Sequence, residues 1–257
     1  MQPTLQDVID MAQNAGDILR AGFGTELEIH HKGRIDLVTE MDHRSEEYLL
    51  GQIHQRFPGH AVRTEESGHL DGDADHVWII DPLDGTLNYA HGVPIYSISI
   101  AYAEKQQTIL GVVLNPSHQE CFSAQRGKGA YLNGQPIHVS AYNKLVDCIL
   151  ITGFPYSTDV KKNNIENFER FFYEVQAVRR FGSAALDLCY VAAGKADGYW
   201  QLESHDWDIA AGGLIVEEAG GIVTTITGAK DYLKPPYGIV ASNPKIHSKI
   251  IEVLQRP

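Results

Sequence analysis

Apolar residues recur along the chain at helical spacing first and at strand spacing afterwards. Leu5, Val8, Ile9, Ala12, Ala15 and Leu19 share one face of a helix that opens at the Thr4/Asp7 pair and ends near Gly22 or Gly24. A short strand at Glu28 to His31, a loop at Lys32-Gly33-Arg34 and the run Asp36 to Asp42 lead into a second amphipathic helix reaching about Phe57. Thr39 and Asp42 have capping-box spacing, and the plain reading of both is a helix cap. Pro58-Gly59 turns the chain into a strand, Ala61 to Thr64, that ends on Glu65-Glu66-Ser67-Gly68. Asp71 to Asp75 reads as an exposed acidic turn. Val77 to Ile80 reads as a buried strand that ends on Asp81, because Pro82 cannot continue a ladder normally. Strands follow at Tyr96 to Ala103, Thr108 to Leu114 and Glu120 to Ala124. Asn133-Gly134 then joins a hairpin between Gly129 to Leu132 and Pro136 to Val139.

From about Val146 strands and helices alternate. The strands are expected at Cys148 to Thr152, Val178 to Phe181, Asp197 to Leu202, Ile222 to Ile226 and Ile239 to Ala241. Helices are expected at Asn163 to Val175, after Gly182-Ser183-Ala184-Ala185, at Asp208 to Ala219 and at Lys245 to Leu254. The change of rhythm predicts two sub-domains in one compact body. Residues 1–145 would be an α+β unit with a mainly antiparallel sheet, and residues 146–257 a mixed α/β unit. There is no low-complexity linker and no repeat of solenoid period.

Composition narrows the class. With 257 residues, 43% hydrophobic and 21% charged, the chain can bury a core without disulfides. Cys121, Cys148 and Cys189 lie among apolar neighbours with no CxxC spacing, which predicts reduced, buried thiols and a cytoplasmic location. The start lacks the charged and apolar regions of a signal peptide, and no apolar run reaches membrane length. A net charge of −12 argues against nucleic acid as the main partner. It leaves room for a small phosphorylated substrate if cations invert the sign locally.

The candidate chemistry centres on Trp78 to Asn88. A strand ending on Asp81, followed by Asp84-Gly85-Thr86, brings two carboxylates to a sheet edge and turns backbone N–H groups toward an anion. Carboxylates so placed repel each other and the anion, and bound cations resolve both conflicts. Glu65 and Asp208 also lie at a strand end and a helix start, although a solvated loop and a helix cap are their plain readings. All-oxygen ligation suits Mg²⁺ or Mn²⁺, and the 12 scattered histidines include no HExxH pair for zinc. The absence of GxxxxGK[ST], HRD and GxGxxG patterns disfavours kinases and P-loop NTPases.

Asp81-Pro82-Leu83-Asp84-Gly85-Thr86-Leu87-Asn88 resembles the DPxDGTxN signature of the inositol monophosphatase family. Trp207-Asp208-Ile209-Ala210-Ala211-Gly212, with Glu218-Ala219-Gly220-Gly221, resembles its second signature. Glu65-Glu66-Ser67-Gly68 and Asp36 to Asp42 fall in family order, so the resemblance covers nearly the whole chain. It implies a layered αβαβα sandwich, a homodimer, and lithium-sensitive hydrolysis of a phosphate monoester with two or three Mg²⁺ ions, Mn²⁺ being a substitute. Glu65, Asp81 and the Leu83 carbonyl would hold one ion, Asp81, Asp84 and Asp208 a second, and a third would bind near Glu65. Gly85 and Thr86 would donate backbone N–H groups to phosphate, while Thr86 and Asp42 orient the attacking water and Glu66 supports it through water. Ser183 and Ala184 would contact the alcohol, beside Asp84 and Asp208.

One position departs from the family pattern. The stretch Tyr199-Trp200-Gln201-Leu202 carries Gln201 where inositol phosphatases usually have a Glu that accepts inositol hydroxyls. The expected reaction is hydrolysis of a polyol phosphate, myo-inositol monophosphate first. Fructose 1,6-bisphosphate and histidinol phosphate are the alternatives, and a 3′-phosphoadenosine nucleotide ranks last. An alternative of another class is a catalytically silent regulator that binds a protein partner.

Overall fold

The computed structural model describes residues 2–31, 37–154 and 158–256. The loop expected at Lys32 to Arg34, and Asp36, lie outside the described residues. Thr4 and Asp7 close a reciprocal cap on α1 (Leu5–Gly22), and Thr39 and Asp42 close another on α2 (Glu40–Arg56). A short antiparallel ribbon, β1 (Ile29–His31) with β2 (Leu37–Thr39), joins the two helices. Strands β3 (His60–Thr64), β4 (Gly68–Leu70), β5 (Asp73–Asp84), β6 (Ser97–Glu104), β7 (Gln107–Asn115), β8 (Glu120–Gln125), β9 (Ala130–Leu132) and β10 (Gln135–Pro136) form one eight-stranded sheet. Its order is β10-β9-β8-β7-β6-β5-β3-β4, antiparallel except between β3 and β5.

A five-stranded sheet follows, built from β11 (Ile149–Thr152), β12 (Ala177–Arg179), β13 (Gly198–Gln201), β14 (Ile222–Thr224) and β15 (Ile239–Ser242). It is mixed: β11 pairs in parallel with β12 and β13, and β15 pairs antiparallel with β13 and β14. The remaining helices are α3 (Thr86–Ala90), α4 (Thr158–Glu174), α5 (Ala184–Ala192), α6 (Asp206–Glu218) and α7 (His247–Leu254). No described helix is long and apolar enough to cross a membrane.

Strand alternation builds the layers, since successive side chains point to opposite faces. Trp78, Ile80, Ile100 and Tyr102 pack with Met11, Leu19 and Leu49 of α1 and α2. Their neighbours Val77, Ile79, Ala101 and Ala103 pack with Leu188 of α5 and Ala211 and Leu214 of α6. In the second sheet, Ile151, Tyr199 and Ala241 join that same middle layer. Leu150, Trp200 and Val240 turn outward onto Phe171 of α4 and Ile250 of α7. The product is an αβαβα sandwich.

Small residues let the middle layer pack tightly. A Cβ at Gly111 would lie 2.9 Å from the Ala211 carbonyl oxygen, and one at Gly212 would lie 2.7 Å from Leu188 Cβ. This close approach brings the start of α6 to the end of β5.

Three expectations need correction. The strand expected to stop at Asp81 runs on to Asp84, and it begins at Asp73, inside the supposed acidic turn. Asp81 pairs with Ser99 and Asp84 with Ser97, so β5 carries one extra residue there against β6. That bulge accommodates Pro82, which has no N–H for the ladder. The second correction is at α6, which starts at Asp206 rather than Asp208. Finally, α3 and β4 were not expected, being only 5 and 3 residues long.

His247, buried at the start of α7, has ring nitrogens 2.9 Å from Ser242 Oγ and 2.9 Å from Thr224 Oγ1. Burial pushes its pKa down from 6.5 to about 4. The folded protein therefore holds this proton more weakly than the unfolded chain. Its stabilising contribution is complete above pH 6.5 and is lost as pH falls toward 4. The loss should reach roughly 3 kcal/mol at about 1.4 kcal/mol per pKa unit. Urea unfolding at neutral pH and at about pH 5 should show roughly 2 kcal/mol of it. His247→Gln should lose less stability than wild type on this acidification, whatever the opposite contributions of Asp81 and Asp84. An equal change in variant and wild type would remove His247 as a cause.

Candidate active site

The end of β5, the start of α3 and the starts of α5 and α6 enclose a cleft of about 310 Å³. The bulge after Asp81 sets Asp81 and Asp84 on this cleft, and both are buried. Asp81 Oδ1 accepts a 3.0 Å hydrogen bond from the Leu83 N–H. Burial pushes the Asp81 carboxyl well above the ordinary range, and the charges of Glu65, Asp84 and Asp208 push it further. Asp84 is raised to about 6, by burial first and by Asp208 second. It is partly compensated by Ser183 Oγ at 2.5 Å and by the Ala185 and Ala184 N–H groups at 2.9 and 3.2 Å.

Asp42, fully buried, accepts hydrogen bonds from the Thr39 N–H at 2.8 Å and from Thr39 Oγ1 at 2.6 Å. Its other oxygen lies 2.9 Å from Thr86 Oγ1, which is also 3.0 Å from the Leu83 carbonyl. Asp42 is thus a helix cap and a partner of Thr86 at once. Gly85 adopts φ 89°, and a Cβ there would lie 3.1 Å from the Ile95 carbonyl and 3.2 Å from the Gly182 carbonyl. Only glycine suits that position, from which the first N–H groups of α3 emerge without intrahelical acceptors.

At α6, Asp208 Oδ2 accepts a 2.7 Å hydrogen bond from the His205 N–H. The His205 ring stacks on Trp207 at 4.6 Å, and its pKa is raised, chiefly by the hydrogen bond to Asp208. Trp207 packs against the middle-layer core, which holds the start of this helix in place.

The cleft therefore gathers Glu65, Asp81, Leu83, Asp84, Gly85, Thr86, Ser183, Ala184, Gln201 and Asp208. Asp42 reaches it through Thr86, and Glu66 follows Glu65 in the turn between β3 and β4. The fully buried Ser183 side chain faces Asp84 and caps α5. Gln201 Oε1 accepts a hydrogen bond from Tyr199, and Nε2 donates to the Glu203 carbonyl at 2.8 Å.

Several supporting residues escaped sequence reasoning. On the buried face of α2, Ser45 donates to the Pro82 carbonyl at 2.8 Å. Glu46, one residue on, accepts from Thr64 Oγ1 at 2.8 Å and from the Ser67 N–H at 3.0 Å and Oγ at 2.6 Å, fixing the Glu65 turn. Asn88 donates to the Ile95 and Phe181 carbonyls at 2.8 and 2.7 Å, joining α3 to the loop before α5. The available signal for Glu46 was a charged residue at the apolar position of a helix face.

Glu46→Leu removes both acceptor oxygens and should leave the Ser67 N–H and the Thr64 hydroxyl without an acceptor. We expect a stability loss of about 1–3 kcal/mol in urea unfolding and a lower phosphate-ester turnover. An unchanged urea midpoint would show that Glu46 does not hold this turn.

Among the described residues no three carboxylate, imidazole or thiol groups converge as a ready-made metal cage. The donor chemistry nonetheless fits a hard divalent cation. The groups that raise the buried Asp81 carboxylate are three further carboxylates, all oxygen donors. Among the described residues Asp84 Oδ1 accepts only the Ala184 N–H, and the Asp208 contact with the His205 N–H uses Oδ2 alone, so each carboxylate keeps an oxygen with an open position for a cation.

Five alternating layers with a carboxylate-lined cleft at the end of β5 define a protein of the αβαβα sandwich class. The chain belongs to the inositol monophosphatase family, whose model matches residues 1–256. It is 39% identical to the Nus factor SuhB of Pseudomonas aeruginosa, over 99% of this chain and 97% of that one. It is 37% identical to the inositol-1-monophosphatase of Mesorhizobium japonicum, over 98% and 96%. The crystal structure of the extragenic suppressor protein suhB from Bartonella henselae superposes with a TM-score of 0.94 at 37% identity, covering 98% of each chain. The family is one of generally Mg²⁺-dependent phosphatases acting on small phosphorylated substrates.

Proposed function

We propose that this chain is a Mg²⁺-dependent phosphomonoesterase acting on a polyol monophosphate, with myo-inositol monophosphate the leading substrate. The observation that carries the reading is the burial of Asp81 among Glu65, Asp84 and Asp208, a charge arrangement that bound cations relieve. Glu65, Asp81, the Leu83 carbonyl, Asp84 and Asp208 would hold the Mg²⁺ ions, with Mn²⁺ as a substitute. Bound Mg²⁺ would neutralise phosphate and the leaving alkoxide and would make water more acidic.

The chain's own groups then divide the remaining work. Thr86 can donate its hydroxyl proton to Asp42 Oδ1 and so present its lone pairs to the attacking water. Asp42 is held for that task by both donors of Thr39. The N–H groups of Gly85 and Thr86 face the phosphate oxygens. Glu66 supports the water side, while Ala184, the capping Ser183 and Gln201 border the alcohol. Three free, buried cysteines fit a reducing compartment, and we place the protein in the cytoplasm as a homodimer.

The test is phosphate release with Mg²⁺ from myo-inositol 1-phosphate, fructose 1,6-bisphosphate and histidinol phosphate. We expect the inositol ester to give the highest kcat/KM and Li⁺ to inhibit. A preference for either of the other two would move the assignment to that substrate.

A second reading adds a protein-binding role. Ile165, Phe172 and Tyr173 of α4 are 55%, 63% and 79% exposed, and the Pseudomonas relative is named a Nus factor. Turnover of no phosphate ester, with Mg²⁺ binding intact, would favour that role alone.

A further inference from the structure

Three buried side-chain oxygens among the described residues have no hydrogen-bond partner: Thr108 Oγ1, Asp187 Oδ1 and Glu203 Oε2. Two of these belong to carboxyl groups, and both Asp187 and Glu203 line the active-site cleft. Asp187 is 1% exposed and sits in the first turn of α5. Burial, and after it the Asp84 charge, push its carboxyl well above the ordinary range.

The backbone donors at the start of α5 are engaged elsewhere, and Arg180, which also lines the cleft, acts on Asp187 through its charge without a hydrogen bond to Oδ1. The Ala184 and Ala185 N–H groups go to Asp84, the Leu186 N–H to Ser183 Oγ and the Asp187 N–H to the Ser183 carbonyl. Near Glu203, Tyr199 donates to Gln201, and Gln201 donates to the Glu203 carbonyl rather than to its carboxylate. Gln201 thus anchors the backbone that carries Glu203.

A buried acceptor left without a donor costs about 1–3 kcal/mol. Two of them in one cleft, where Asp81, Asp84 and Asp208 each accept at least one hydrogen bond from the protein, point to donors brought by a ligand. Carboxyl oxygens accept hydrogen bonds from hydroxyl groups, whereas a second phosphate brings only acceptors and like charge.

We propose that Asp187 and Glu203 read the alcohol half of the substrate, each accepting a hydrogen bond from a hydroxyl of a polyol monophosphate. This rests on the phosphatase reading and narrows it. The carboxylate missing at position 201 is supplied from positions 187 and 203, and a second phosphate at this end is disfavoured.

The test compares myo-inositol 1-phosphate with cyclohexyl phosphate, the same ring without its hydroxyls, in wild type, Asp187→Leu and Glu203→Ala. Each substitution should lower kcat/KM for the inositol ester about tenfold more than for the cyclohexyl ester, mainly through KM. Asp187→Leu should also raise Tm, because it removes an unpartnered buried carboxyl. Glu203→Ala, at a half-buried side chain, supplies the result if Asp187→Leu does not fold. An unchanged ratio of the two esters in the folded variants overturns the proposal, as does a wild-type preference for fructose 1,6-bisphosphate.

A parallel arm needs no turnover: saturation-transfer NMR of myo-inositol with the wild-type protein and phosphate. A signal that weakens in both variants supports the polyol site even if no ester is hydrolysed. A signal of equal strength in wild type and variants overturns it. Failure of the phosphatase reading alone shows as absent hydrolysis with the inositol signal intact and variant-sensitive.

Discussion

Asp81→Asn should melt at a higher temperature than wild type without metal, and should lose phosphate release on the order of a thousandfold with it. The two effects have one origin. Asp81 is buried, and Glu65, Asp84 and Asp208 add their charges to the penalty of burial, so its carboxyl binds a proton more tightly in the folded protein than in the unfolded chain. A group raised in this way destabilises the fold as pH rises from its unfolded value of 3.8 through its folded value. At neutral pH the amide removes that burden. It retains an oxygen to accept the Leu83 N–H, which limits disturbance of the bulge. The same neutralisation removes the charge that would bring cations together. Mg²⁺ should therefore raise the Tm of wild type more than that of the variant, since a ligand that binds the native state stabilises it. Thermal melts with and without Mg²⁺ measure both signs. A variant less stable than wild type without metal would show that repulsion among these carboxylates is not the dominant effect.

Asn88→Asp should be the most destabilising single-atom change near the site. Asn88 uses its amide nitrogen to donate to two carbonyls, Ile95 at 2.8 Å and Phe181 at 2.7 Å. An aspartate would present an acceptor to both. The loss is roughly 3 kcal/mol, from two broken hydrogen bonds and the new repulsion, or roughly 6–12 °C in Tm for a chain of this length. Activity should fall as well, because Phe181 leads through Gly182 to Ser183, whose hydroxyl supports Asp84. Gly182 passes so close that a Cβ there would lie 3.1 Å from Asn88 Nδ2. Asn88→Leu loses the same donors without the repulsion and should be milder. An Asp variant as stable as the Leu variant would show that the two carbonyls do not face the side chain in solution.

What could be read from the chain alone was local. The capping boxes at Thr4/Asp7 and Thr39/Asp42 marked helix starts, and apolar alternation separated the faces of Trp78 and Ile79. The carboxylates of the site were visible because each follows a strand or opens a helix. Pro82 misled, because a proline inside a strand ordinarily ends it, and only pairing with β6 shows the bulge that admits it. Glu46 was hidden for a different reason: its partners Thr64 and Ser67 lie on another element, and the helix pattern names only a misplaced charge. Gln201 was legible as a departure from the family pattern. Its tether to Tyr199 and Glu203, and the unpartnered oxygens of Asp187 and Glu203, depend on packing between α5, α6 and the second sheet.

The most direct test of the site is phosphate released from myo-inositol 1-phosphate by wild type and Asp81→Asn, side by side, with Mg²⁺ and with a chelator. Release should occur only from wild type with Mg²⁺. Equal Mg²⁺-dependent release from both proteins would contradict the assignment of Asp81 and its three neighbouring carboxylates as the cation site.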